Sequence, residues 1–194
     1  STRTSPYEQF RAILQRYLFV AEKIQKVLVK VDLESASAIS LQGDARFLPL
    51  RDRSVDGVLF SPPYSFAIDY LKNDSFHLDF LGADINALRE VMIGLRGKTP
   101  RERFDLYQSD MEEVLSECSR VLRPGRFCTI VVGTNDNQIG RILGIPASSV
   151  PGIEEMLLNI SARYGFRPAL KLARQITGMA NTMRTEYIMI LQLK

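Results

Sequence analysis

The sequence predicts an α/β chain, and three patterns predict it. Segments with apolar residues at helical spacing alternate with short apolar runs of strand length. Two such runs follow one another at the carboxyl end, with a polar loop between them. Breaking residues stand at the joints: Gly43-Asp44, Pro62-Pro63, Pro124-Gly125 and Gly165.

Phe10, Ile13, Leu14, Tyr17, Leu18, Ala21, Ile24 and Leu28 recur at helical spacing and predict one long amphipathic helix over about residues 6 to 30. Ser5 is placed to cap it and Pro6 to open its first turn. "AISLQGDA" predicts a short strand ending at Gly43-Asp44, and "LRDRS" a polar turn. "VDGVLF", Val55 to Phe60, predicts a buried central strand of the parallel kind. The stretch from there to about residue 100 is mixed and partly helical. "ERFDLYQSDMEEVLSECSRVL" has helical period, and the proline and glycine of "RPGR" stop it. "RFCTIVVGT" is a strand, and "NDNQIGRILGIPASSVPG" reads as a loop rich in turn formers. "GIEEMLLNISARYGF" predicts a helix ending at Gly165. "RPALKLARQI" and "RTEYIMILQL" form the closing antiparallel hairpin across "TGMANTM". The whole chain, 1–194, is expected to be one domain, with 1–36 as helix and connector and 37–194 as the sheet-bearing region.

Its 194 residues are enough for a sizeable core, and 45% hydrophobic with 24% charged residues is an ordinary globular balance. The net charge of +3 is compatible with a nucleic-acid partner without arguing for one. Cys118, Cys128 and the single histidine, His77, give no metal-ligand spacing, so no metal is expected. The cysteines sit in apolar contexts and read as buried thiols of a reducing, cytoplasmic setting. No stretch is apolar enough to cross a bilayer.

The two prolines after Phe60 carry the functional signal. Proline has no amide proton, so it cannot continue a paired central strand. Ser61-Pro62-Pro63-Tyr64 therefore lies just beyond a strand's carboxyl end, where open α/β sheets bind ligands. The serine hydroxyl and the carbonyl fixed by the following proline can hold both protons of an exocyclic amine. Tyr64 offers a face for stacking a base, worth roughly 1–3 kcal/mol. A proline pair also ends strands with no further role, and the flanking elements weigh against that plainer explanation.

Ser-Pro-Pro-Tyr, preceded by "GDARFLPLRDRSVDGVLF", resembles the catalytic motif of S-adenosylmethionine-dependent amino-methyltransferases, the cytosine-N4/adenine-N6 DNA methylase family. "CSRVLRPGRFCTIVVG" resembles that family's helix, turn and fifth strand, and "RTEYIMILQL" its last strand. The resemblance runs from about Ile39 to the carboxyl terminus. It implies a Rossmann-like class I methyltransferase sheet with helices on both faces, and S-adenosylmethionine as cofactor. It implies Asp44, Ala45 and Ser61 beside the cofactor, and Ser61, Pro62, Pro63 and Tyr64 as the catalytic residues around the target amine. In a duplex the base would first be flipped out. DNA is favoured as partner, with cytosine N4 ahead of adenine N6, because the serine form is commonest in cytosine enzymes. RNA base amino-methylation, and a non-catalytic nucleic-acid-binding module, are the rival readings.

The family's glycine-rich cofactor loop is not found in the sequence. The chain is therefore expected to be a partial fold lacking the first strands, the loop lying upstream of Ser1 or on a partner chain. An opening "STRTSPYEQF" without methionine agrees with an excised piece. Weak cofactor binding by this stretch alone is the corresponding expectation. Arg96, Lys98 and Arg101, in a basic stretch that also holds Arg89 and Arg103, are candidate phosphate contacts, with a solvated charged face as the simpler explanation. Tyr70 is a candidate wall of the base pocket or a packed aromatic. His77 reads as a surface residue, and Asn135, Asp136 and Asn137 as turn formers.

Overall fold

The computed structural model describes residues 5–31, 37–64, 68–133, 135–176 and 185–194. The chain divides into two units, Ser1–Gln42 and Gly43–Lys194. Among its described residues the first holds one helix, α1 (Pro6–Lys30), as its periodicity predicts. Ser5 caps it, and the cap is reciprocal: Glu8 N–H donates to Ser5 Oγ (3.2 Å), while Ser5 N–H donates to Glu8 Oε2 (2.9 Å). Described by itself, α1 buries none of its residues.

The second unit holds a four-stranded sheet: β1 (Val55–Phe60), β2 (Leu122–Gly133), β3 (Phe166–Gln175) and β4 (Thr185–Leu193), in the order β1-β2-β4-β3. β1 and β2 are parallel, β4 runs antiparallel to β2, and β3 and β4 form the expected antiparallel pair. The parallel crossover from β1 to β2 carries α2 (Tyr70–Asn73), α3 (Ser75–Phe80), α4 (Ile85–Val91) and the long α5 (Pro100–Val121). Thr99 caps α5, its Oγ1 accepting from Glu102 N–H at 3.1 Å, and Pro100 opens its first turn. α5 stops at Val121, and Leu122 is already the first residue of β2. Pro124 and Gly125 (φ +79°) then turn the chain, and the β1–β2 register slips between Val55 and Gly57.

Two expectations are corrected here. β1 is an edge strand, not a central one, and Leu59 is 74% exposed. A run apolar on both sides predicts neighbours on both margins, and among the described residues only β2 pairs with it. Residues 37–43 form no strand; the chain makes only an isolated bridge between Asp44 and Phe47. Residues 37–43 are exposed, so water rather than a ladder partner takes their backbone hydrogen bonds.

A third correction is α6 (Asp136–Leu143), in the segment read as a loop. Asn135 caps it, and Gly144 ends it in the left-handed conformation (φ +70°). A Cβ on Gly140 would lie 2.7 Å from the Ile145 carbonyl oxygen, so glycine alone lets the following turn fold back on the helix.

The core lies between one sheet face and two helices, α5 and α7 (Ile153–Arg163). Cys128 pairs with Leu191, and Ile130 with Met189, across the β2–β4 ladder, and all four are fully buried. Tyr107, Met111, Leu115 and Cys118 of α5 and Leu157 and Ile160 of α7 close over them. The Cys128 thiol is pushed up by its hydrogen bond with Cys118 and by burial, which keeps it protonated and unreactive. Both thiols are free and buried, as expected. On the opposite face, Leu59 stands beside Thr129, Ile190 and Leu170, one residue from each strand, and Val131 beside Ile188 and Leu172. Leu59, Phe127, Leu170 and Leu172 are exposed there. No described helix is long and apolar enough to cross a membrane.

Candidate functional site

Ser61–Tyr64 leaves the carboxyl end of β1, as the prolines require. Ser61 is exposed and Pro62 is buried. The Ser61 hydroxyl donates to the Val131 carbonyl oxygen at 2.8 Å, so β2 fixes its direction. In this rotamer the serine's proton points at Val131, and the same hydroxyl also contacts the Tyr64 phenol. Tyr64 is held at both ends. Its backbone N–H donates to Tyr70 Oη (3.1 Å), and its own hydroxyl donates to Glu186 Oε1 (2.7 Å) at the start of β4. Burial pushes the Tyr64 phenol above its ordinary range; a hydrogen bond with Ser61 opposes this, and Glu186 adds to it. The phenol of buried Tyr107 is pushed up first by burial and then by Tyr70 and Tyr64.

Tyr70 thus supports the Tyr64 backbone. Asp69 caps α2 through Lys72 N–H (3.1 Å) and pairs with Arg89 (3.1 Å). Glu186, Tyr107 and the Val131 carbonyl were not singled out from the sequence. The contribution of Glu186 depends on strand register, which puts it opposite Gly133 at the same end of the sheet as Ser61.

Asp44 belongs to a second constellation. Its carboxylate takes Arg46 Nε (3.0 Å) and Nη2 (2.7 Å), and this pairing holds it below the usual carboxylate range. Arg46 Nη1 reaches Asp110 on α5 (2.8 Å), and Nη2 also donates to the Val91 carbonyl (3.1 Å). Arg96 donates to the same Asp110. Ala45 is exposed on the adjoining turn. Of the predicted phosphate contacts, Arg96 is committed to Asp110, Arg101 pairs with Asp105 on an exposed helix face (3.2 Å), and Lys98 is exposed. Exposed pairs of the Arg101 kind contribute little and break readily. Asp44 is thus tied to α5 and Ser61 to β2. His77 is exposed, as expected, and Asn135 serves as a helix cap. Among the described residues no group of His, Cys, Asp or Glu is placed to hold a metal ion.

Arg120 staples the approach to β1. It donates to Glu117 (2.7 Å), Asp52 (2.6 Å) and the Leu48 and Leu50 carbonyls. Glu117 also accepts from Leu48 N–H (2.8 Å), and the Arg120 pairing holds its carboxyl below the ordinary glutamate range. A depressed carboxylate stabilises the fold above its unfolded value of about 4.3, and that contribution is lost as pH falls through the lower folded value. Glu117→Gln is therefore expected to flatten the loss of stability below about pH 4, read as urea midpoints between pH 6 and 3. An acid limb as steep as wild type would contradict the assignment.

No protein-family model and no curated protein matches the sequence. Among solved structures the chain is similar to a "Putative DNA Modification Methylase" of Thermus thermophilus (19% identity, TM-score 0.45), covering 78% of this chain and 50% of that one. The same protein "Complexed with S-Adenosyl-L-Methionine" matches at 16% identity and TM-score 0.45, with 78% and 51% covered. A SAM-dependent methyltransferase of Methanosarcina mazei matches at 12% identity and TM-score 0.44, with 78% and 65% covered. The chain spans about half the length of the first two, and at these identities and scores the likeness carries no function across.

Proposed function

We propose that this chain carries the catalytic part of an S-adenosylmethionine-dependent amino-methyltransferase acting on an exocyclic base nitrogen, cytosine N4 or adenine N6 of DNA. One observation carries the reading. A serine hydroxyl oriented by β2, a proline-fixed carbonyl and an anchored aromatic ring stand together at the carboxyl end of a parallel strand. The names of the similar solved proteins agree with it.

S-adenosylmethionine, when bound, would supply an electrophilic methyl group on a sulfonium. The chain's own residues fit the side of the reacting amine. Ser61 Oγ and the Pro62 carbonyl accept its two N–H protons. Accepting both draws the nitrogen away from the plane of the ring and returns its lone pair to the nitrogen. Tyr64 holds the base by its face, so that orientation is fixed before reaction. Asp44 and Ala45 are the proposed neighbours of the cofactor's adenine, which would meet an Asp44–Arg46 ion pair rather than a free carboxylate. Lys98 and Arg101 are the proposed phosphate contacts, since Arg96 is spent on Asp110.

The test is methyl transfer by the full-length protein from radiolabelled cofactor to DNA and RNA oligonucleotides, followed by nucleoside analysis. Label in N4-methylcytosine or N6-methyladenine of DNA supports the reading. Label only in RNA moves it to the other polymer, and no label in either refutes it.

A further inference from the structure

We propose that Glu186, shared between Tyr64 and Arg174, is a positioning residue that sets the plane of the Tyr64 ring. The inference rests on the base-stacking part of the reading above. Tyr64 lies outside any helix or strand, so secondary structure does not fix its side chain. Its backbone is restrained by the preceding proline and by the bond to Tyr70 Oη. Neither restraint sets the side-chain torsions. Ser61 also contacts the phenol, but from the segment that carries Tyr64 itself; the contact that ties the far end of the ring to a different strand is the 2.7 Å bond from Tyr64 Oη to Glu186 Oε1.

Glu186 is suited to that task. It is 7% exposed, so water competes little for its oxygens. Its other oxygen, Oε2, accepts from Arg174, which stands directly opposite on β3. One oxygen is thus committed to each partner. Across the other ladder its neighbour is Gly133, which brings no side chain into the space. The Arg174 side chain is 63% exposed, so it balances the charge without being buried itself. Hydrogen bonds to a charged acceptor are roughly twice as strong as neutral ones, which suits this bond to hold a ring against thermal flipping.

The experiment uses the full-length protein as wild type, Glu186→Leu, Glu186→Gln, Tyr64→Phe and the Leu/Phe double variant. The first readout is NMR of ring-labelled tyrosine, assigned by Tyr64→Phe. A slowly exchanging Tyr64 hydroxyl is expected in wild type, lost in Glu186→Leu and retained in Glu186→Gln, whose amide oxygen still accepts. The second readout is affinity for an oligonucleotide with 2-aminopurine at a mismatch. Glu186→Leu and Tyr64→Phe should each weaken it by about tenfold, and the double variant no further, because the Tyr64–Glu186 bond is the one that both remove.

A Tyr64 hydroxyl that exchanges as slowly in Glu186→Leu as in wild type would overturn the proposal. So would additive losses in the double variant. Wild type with no affinity for the oligonucleotide would instead count against the base-binding reading, and the NMR comparison would still decide the role of Glu186. Should Glu186→Leu melt much lower than wild type, Tyr64→Phe removes the same bond from the other side: its tenfold loss of oligonucleotide affinity, with Glu186→Gln near wild type, supports the proposal, and wild-type affinity in Tyr64→Phe overturns it.

Discussion

Ser61→Ala is expected to slow methyl transfer by roughly a hundred- to a thousandfold, the loss typical of one preorganised polar contact worth about 2.7–4 kcal/mol. The loss should fall on turnover rather than on affinity. Ser61 donates its proton to the Val131 carbonyl, so its role toward an amine is to accept. An accepting contact strengthens as the nitrogen becomes tetrahedral and its protons more acidic, which makes it a contact of the transition state. The fold should lose the Val131 bond and the contact with the Tyr64 phenol, about 1 kcal/mol each. Tyr64→Ala should behave differently, because on the proposed reading its stacking face would serve the base before and during reaction, so affinity should weaken as well. The measurement is single-turnover transfer to DNA with a mismatched target base, where flipping costs little. Full chemical rate in Ser61→Ala would reduce the serine to a strand terminator.

Asp110→Ala is expected to cost about 3–5 kcal/mol of stability, the usual consequence of breaking a buried ion pair from one side. Asp110 is 1% exposed and accepts from both Arg46 and Arg96. Without it, the poorly exposed Arg46 keeps Asp44 but loses its link to α5, and Arg96 loses its carboxylate partner. For a chain of this size the melting temperature should fall by roughly 6–20 °C. Thermal denaturation followed by circular dichroism measures it, with Asp105→Ala as the exposed control, expected to change little. A shift as small as the control's would mean that the cluster is not what fastens residues 44–46 to α5.

The elements that the sequence revealed are those whose signals are local. Ser5 and Pro6 mark the start of α1, and Pro62-Pro63 the end of β1, within one residue. The helical period of α5 and α7 and the apolar runs of β2 and β4 follow from burial against each other. The misreadings have a common cause. "VDGVLF" looks central because its residues suit two neighbours, but residue type does not say whether a second neighbour is there. "AISLQGDA" has strand character and no ladder. α6 was hidden by its own punctuation: Asn135 and Gly144 are turn formers in a loop, and the same residues are the cap and stop of a short helix. For the site, Ser61 to Tyr64 were legible because proline chemistry is local. Glu186 was not, since only the β2–β4 register brings residue 186 within reach of residue 64. The partner of Arg96 was not legible either, because Asp110 lies on the other side of a helix start.

The two margins of the sheet are finished differently. β3 carries Arg167, Pro168, Lys171 and Arg174, the charges and proline that discourage a further strand from joining. β1 has Asp56, already neutralised by Arg123 and Arg126, and beside it a glycine and an exposed leucine. Its outer N–H and C=O groups adjoin the apolar row that Leu59 begins across the open face. For the unit Gly43–Lys194 on its own, this sets colloidal behaviour rather than folding. A net charge of +3 on the chain gives little mutual repulsion, and added salt screens what there is. Purification at low protein concentration and low ionic strength should preserve monomers, and concentration should drive strand-edge association well before heat unfolds the core.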